Sequence, residues 1–262
     1  MSWFRAAATG VERDQSFSGA GWPDVLKNND LTNVIGDPRL RFNAINGRPA
    51  VQFSGTDAFY SNNNLSAFIS ASVGAVYVVH KPTAVSTDSA TLSLNTSLWC
   101  SKQLTNFFEG VSVVSSSGGL YYQEVTNDDA SGLQTVRNPI SLNVWQVSVW
   151  NHAVNLLNGI VNDETANGLR TASGASIAVS VPFALGLNTL GTSSVSAAYY
   201  TGFMAEILTY NVAHTTAQMA QVLNYLRAEY FSPSGPPLVS PLTRADALEQ
   251  SRDVASRMLW YT

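Results

Sequence analysis

Short β-forming runs separated by turn residues fill most of this chain, and that rhythm constrains the fold more than any single motif. Residues 50–53, 73–79, 91–94, 110–114, 120–125, 144–150, 177–181, 183–187 and 202–210 read as strands, with Gly, Ser, Asn and Asp clusters between them. The 73–79 run is apolar on both faces, which marks a central strand. Residues 144–150 alternate: Trp145, Val147 and Val149 point one way, Gln146, Ser148 and Trp150 the other, and the second set reads as a polar face. Between Leu156 and Val161 lies Asn158-Gly159, the dipeptide favoured in a type I′ turn, so a hairpin is expected there. Many short strands with regular turn signals predict an all-β, antiparallel sandwich of the jelly-roll kind.

One helix is expected near 215–230. Thr215-Thr216-Ala217-Gln218 has the form of a capping box. Met219, Val222, Leu223, Leu226 and Tyr230 then recur at helical spacing, so the helix should lie against the sandwich. The composition shifts at Ser232, where Ser232-Pro233-Ser234-Gly235-Pro236-Pro237 reads as a stiff linker. Three parts are therefore expected: a sandwich over 1–231, a Pro-rich linker over 232–242, and an amphipathic helical tail over 243–262. Leu248, Ala255, Met258, Leu259 and Trp260 would form the tail's docking surface for another subunit, because apolar stripes and terminal aromatics suit an interface.

Charge is sparse. Asp, Glu, Lys and Arg make up only 12% of the 262 residues, against about 25% in a usual globular protein. Such a surface suits a protein packed in an assembly or facing the extracellular world. The net charge of −4 is spread out and no basic run exists, which argues against nucleic acid. A single cysteine, Cys100, permits no internal disulfide and reads as a small buried hydrophobe. The first residues lack a basic segment followed by an apolar run, and no stretch approaches ~18 apolar residues, so neither a signal peptide nor membrane insertion is expected.

Several motifs carry a family resemblance. Trp22-Pro23-Asp24, Asn29-Asp30-Leu31-Thr32 and the long run Asn46-Gly47-Arg48-Pro49-Ala50-Val51-Gln52-Phe53-Ser54-Gly55-Thr56-Asp57 stand near the start. Gly202-Phe203-Met204-Ala205-Glu206-Ile207-Leu208-Thr209-Tyr210-Asn211 stands near the end of the sandwich. Together they resemble the opening and closing elements of laminin-G/concanavalin-A-like domains, with Lys27 and Asn28 replacing the Ser-Gly turn of that pattern. The resemblance implies a concanavalin-A-like sandwich, a fold used to bind glycans, to build surfaces and, less often, to hydrolyse glycosides. Motifs of this kind specify a fold and not a ligand.

No catalytic residue is assigned. Glycoside hydrolysis needs two carboxylates across a cleft. Glu12-Arg13-Asp14-Gln15-Ser16 lacks the final acid of the Glu-x-Asp-x-Glu pattern that glucanases of the resembled fold carry, and Glu206 reads as a structural carboxylate. There is no Gly-x-Ser-x-Gly elbow, and His80, His152 and His214 are scattered singly, with His80 and His214 expected to be solvated or locally bonded. No cofactor is expected. Asn127-Asp128-Asp129 and Asn162-Asp163-Glu164 offer oxygens for calcium, yet both read equally as turns. Glycan binding needs an aromatic platform beside amides and carboxylates. The candidates are Trp150, Gln146, Tyr121, Tyr199 and Tyr200, with Ser148, Tyr122 and Trp99 as further members.

The sequence thus points to a non-enzymatic structural surface protein of a larger assembly, such as a phage virion's capsid-decoration or tail-associated protein. It would be a homo-oligomer in that assembly, reaching the virion surface through its tail. The alternatives are a carbohydrate-binding adhesion module at an extracellular or cell surface, and then a glycoside hydrolase.

Overall fold

The computed structural model describes residues 1–6, 14–17, 21–26, 29–64, 68, 73–85, 96–103, 107–115, 121–129, 132–153, 156–161, 170–172, 182–186 and 199–232, in places by the backbone alone. They form two antiparallel sheets and one helix, as the turn rhythm predicts. The larger sheet, strands numbered in chain order, runs β14 (Arg170–Ala172), β13 (Leu156–Val161), β12 (Gln146–Ala153), β7 (Gly74–Ala84), β16 (Thr201–Tyr210), β5 (Arg48–Ser54), β4 (Arg39–Ile45), β2 (Gln15–Ser16). Strand β1 (Ser2–Arg5) also pairs with β16. The smaller sheet runs β11 (Gly132–Ile140), β10 (Tyr121–Asp129), β9 (Phe107–Ser115), β8 (Thr96–Gln103), β15 (Pro182–Leu185), β6 (Ala58–Asn64), β3 (Asn33–Ile35).

Two apolar layers hold this together. Between the sheets, Phe53, Val76, Val78 and Trp150 of the large sheet meet Phe59, Leu98, Trp99 and Leu185 of the small one. Trp22, Phe17 and Phe59 pack at ring-centroid distances of 5.4–6.4 Å, mostly edge to face, the arrangement that aromatic quadrupoles prefer. On the opposite face of the large sheet, Ala75, Tyr77, Val79, Val147, Val149 and Leu208 meet the helix. The central strands β7, β12 and β16 are therefore buried on both faces.

Helix α1 (Thr216–Tyr230) starts where the capping box predicts. Gln218 donates its backbone N–H to the Thr215 hydroxyl at 3.3 Å, and the Gln218 side chain accepts from the Thr215 N–H at 2.9 Å. The buried stripe is Met219, Val222, Leu223, Leu226 and Tyr230, the predicted set. Its last carbonyls lack intrahelical partners. The β4–β5 turn supplies them: Asn46 Nδ2 donates to the Tyr230 carbonyl at 2.6 Å, and Arg48 Nε to that of Glu229 at 2.6 Å. That turn is Asn46-Gly47, with φ of 46° and 82°, as a two-residue hairpin requires.

The motifs near the start of the chain act as fasteners. Asp24 accepts from the backbone N–H groups of Trp3, Leu26 and Asn29, tying the Trp22–Leu31 loop to β1. Asp57 accepts from Asp37 and Ser54, closing the turn after β5.

Two local expectations are corrected. Asn158-Gly159 does not turn: it lies inside β13, with Gly159 opposite Trp150 on one side and Arg170 on the other. Ladders on both sides override the dipeptide's preference. Strand β7 also runs through Lys81-Pro82 to Ala84. Pro82 is accommodated beside a register shift in the β7–β16 ladder, where a missing N–H is tolerated. His80 and His214 are not solvated but buried. The strands expected at 91–94 and 177–181, the linker and the tail over 233–262 lie outside the described residues.

Candidate functional site

The outer face of the large sheet divides into two halves. Helix α1 covers one. Its 15 residues span about 22 Å. At its start, Asn151 clamps the His214 backbone through bonds of 2.7 and 3.0 Å, and Tyr77 shares a 2.7 Å bond with His214 Nδ1. Beneath it sits Glu206, fully buried. Its Oε1 accepts from Trp3 Nε1 and the Tyr225 hydroxyl, both at 2.9 Å, and its Oε2 accepts from the Tyr230 hydroxyl at 2.5 Å. Arg5 Nε lies 3.4 Å away, an electrostatic contact rather than a well-formed hydrogen bond. Burial pushes the Glu206 carboxyl up, while Arg5, Tyr230, Tyr225 and Trp3 pull it back. Glu229 joins Arg5 to Arg48, the latter at 2.8 Å. Both oxygens of Glu206 are engaged in fastening α1 to β1 and β16. This carboxylate holds the fold and presents nothing to a substrate.

The other half carries a row of partly open side chains. The strand register sets Arg39, Gln52, Phe203 and Lys81 side by side across β4, β5, β16 and β7. Trp145, next to the His80–Gln146 pair, extends the row beyond β7. Four interstrand spacings make it about 19 Å long. Trp145, Phe203, Lys81 and Gln52 are half-buried, and Val144 beside them is 47% exposed. Lys81 Nζ lies 4.7 Å from the Phe203 ring centroid and 5.5 Å from that of Trp145, and the two rings are 6.1 Å apart. Arg41 Nε donates to Gln52 Oε1 at 2.6 Å. Asp14 pairs with Arg41 at 2.8 Å and Asp37 with Arg39 at 2.9 Å. Each arginine therefore has a carboxylate. Among the described residues, Lys81 has no ion-pair partner.

Backbone geometry fixes this cluster. Gly202 has φ of 151°, and a Cβ there would come within 2.3 Å of the Lys81 carbonyl. Only glycine lets β16 approach β7 so closely just where Phe203 meets Lys81.

The residues singled out by sequence lie mostly elsewhere. Trp150 is fully buried between the sheets, edge-on to Trp99 at 5.3 Å. Gln146 and Ser148 share that interior face. Tyr200 is buried against Phe53 at 5.8 Å. None of these offers a face to a sugar, so Trp150, Gln146 and Tyr200 are withdrawn as binding residues. On the inner face of β12, Ser148 finds a partner: its Oγ lies 2.7 Å from His80 Nε2, and His80 Nδ1 lies 3.2 Å from the Tyr200 hydroxyl. Burial lowers His80 to about 3, which leaves it a poor base. Tyr199 is half-buried two residues before β16. Tyr121 lies in β10, but its side chain is outside the described set, as are Leu248, Ala255, Met258, Leu259 and Trp260. The side chains of both calcium candidates are also outside it, and among the described residues no three His, Cys, Asp or Glu cluster as a metal site would need. No described helix is long and apolar enough to cross a membrane.

The row was missed because Trp145 alternates with Val147 and Val149, which read as core. The available signal was length: a helix of about 22 Å cannot roof a sheet of this width.

Solved structures share the sandwich. Domain 4 of AbnA, a GH43 extracellular arabinanase from Geobacillus stearothermophilus solved in complex with arabinotriose, is similar over 81% of this chain and 97% of its own, at 14% identity and TM-score 0.56. A Trypanosoma rangeli sialidase mutant displaying trans-sialidase activity is similar over 87% of this chain, at 10% identity and TM-score 0.55. This chain spans only 33% of that sialidase. The T. rangeli sialidase in complex with sialic acid aligns at 12% identity and TM-score 0.51. At such identities the likeness establishes the fold alone, and it agrees with a concanavalin-A-like sandwich. No protein-family model matches the sequence, and no curated protein sequence matches it either.

Proposed function

We propose that this protein is a non-catalytic carbohydrate-binding β-sandwich, and that it holds an extended oligosaccharide along the row from Trp145 to Arg39. The observation that carries this reading is the half-open cluster of Trp145, Phe203, Lys81 and Gln52 on the uncovered half of the large sheet. Aromatic faces stack on the C–H bonds of sugar rings, while the amide and cations bond to hydroxyls. A row of about 19 Å accommodates several sugar rings. The arabinanase domain of similar fold was solved with arabinotriose, which supports a sugar as the ligand class. Among the described residues, the non-catalytic reading is supported by Glu206, whose oxygens are occupied, and by Asp14 and Asp37, each tied to an arginine.

Affinity electrophoresis against a panel of soluble polysaccharides tests this. The wild type should be retarded by at least one polymer without degrading it. The Trp145→Ala/Phe203→Ala variant should lose about tenfold or more in affinity. No retardation by any polymer, or an unaffected double variant, would overturn the reading.

The same module also fits an outward-facing place on a larger assembly such as a virion. Its low charged share and the Pro-rich segment after Ser232 favour this. Deleting residues 233–262 should then leave a folded sandwich that no longer sediments with its particle.

A further inference from the structure

We infer that the ligand of this row is an acidic polysaccharide, one carrying carboxylates on its sugar rings, and that Lys81 is the residue that selects it. The inference rests on the carbohydrate-binding reading and adds the chemical class to it. It starts from the charges along the row. Arg41 is engaged by Asp14 and Gln52, and Arg39 by Asp37, so neither guanidinium is left without an acceptor. Lys81 differs. Among the described residues its ammonium has only the faces of Phe203 and Trp145 beside it, at 4.7 and 5.5 Å. The cation stands at the centre of the platform, between the two rings on which a sugar would stack.

A neutral sugar laid on these rings would strip water from the ammonium and return no countercharge. A sugar bearing a carboxylate returns both: its C–H face meets an aromatic ring, and its carboxylate forms a charge-assisted hydrogen bond with Nζ. Such a bond outweighs the contact of an exposed ammonium with a ring face. Lysine also fits this role through its long stem and rotatable donors, which let the ammonium leave the rings and follow the carboxylate. The neighbouring arginines, each with its own carboxylate, compete little for the ligand's charge.

The test pairs each acidic polymer with its neutral counterpart. Polygalacturonate, alginate and hyaluronan, and the same polymers with carboxyls reduced to alcohols, are titrated against wild type, Lys81→Gln and Lys81→Arg. The wild type should bind at least one acidic polymer about tenfold more tightly than its reduced form. Lys81→Gln should erase that preference, and Lys81→Arg should keep most of it. The preference should also shrink at high salt, where the Debye length falls to about 3 Å. Equal binding of acidic and reduced forms by the wild type, or a full preference in Lys81→Gln, would overturn the inference and leave carbohydrate binding standing. Loss of binding to all polymers on both sides would overturn both.

Discussion

Two halves of one sheet face have opposite characters. Over the half near Tyr210, α1 lies flush and both oxygens of the carboxylate beneath it are engaged. Glu206 alone accepts from Trp3, Tyr225 and Tyr230 beside Arg5. Over the half near Thr201 the same face carries Phe203, Lys81 and Trp145, half-open, with a cation that has no carboxylate partner among the described residues. The contrast shows that a titratable or aromatic residue on a sheet says little about function until its cover is known. Glu206 has the chemistry of an acid catalyst and the surroundings of a rivet. Trp145 has the pattern of a core residue and the surroundings of a platform.

The largest effects should come from breaking the covered half. Replacing Glu206 with Ala leaves Arg5 buried beside three unmatched donors and should cost about 3–5 kcal/mol in urea unfolding. A loss below about 1 kcal/mol would mean that the helix is not fastened here. Trp150→Ala should cost about 3–5 kcal/mol as well, through the cavity left beside Trp99, while sugar affinity in the folded fraction stays unchanged.

Acid should weaken the same packing. Burial lowers His80 to about 3 and both His152 and His214 to about 4, against an ordinary 6.5. Below pH 6.5 the unfolded chain takes up protons that the fold refuses. Stability should therefore fall as pH drops below about 6.5, by about 1.4 kcal/mol per pH unit for each histidine, down to about 4 for His152 and His214 and to about 3 for His80. His80→Gln should remove about one histidine's share of that slope. An unchanged slope would place the acid sensitivity elsewhere. A smaller effect is expected at the helix start, where Thr215→Ala should cost about 1 kcal/mol. Smallest in stability, and opposite in kind, Trp145→Ala should cost only about 1 kcal/mol, because the ring is half-open.

Much of this fold was legible in the sequence. The capping box at Thr215 and the five-residue stripe ending at Tyr230 marked the helix and its buried face correctly, because both signals are local. Signals that depend on neighbours were less faithful. Asn46-Gly47 turns, since its flanking strands β4 and β5 pair with each other. Asn158-Gly159 does not, since its strand is held on both sides by β12 and β14. The strand 144–150 was read with the right alternation and the wrong outside. Its polar set faces the interior, where His80 satisfies Ser148, and its apolar set runs from under the helix to the open platform. Periodicity separates two faces but does not say which is covered, and the cover here comes from a helix some sixty residues further on.

The division of the sheet is tested most directly by hydroxyl-radical footprinting of the wild type with and without a saturating polysaccharide that it retains. Trp145 and Phe203 should be protected by the ligand, while Trp3, Tyr225 and Trp150 stay unchanged. Protection at Tyr121 or Tyr199 with Trp145 and Phe203 unaffected would put the sugar on another surface and contradict the assignment.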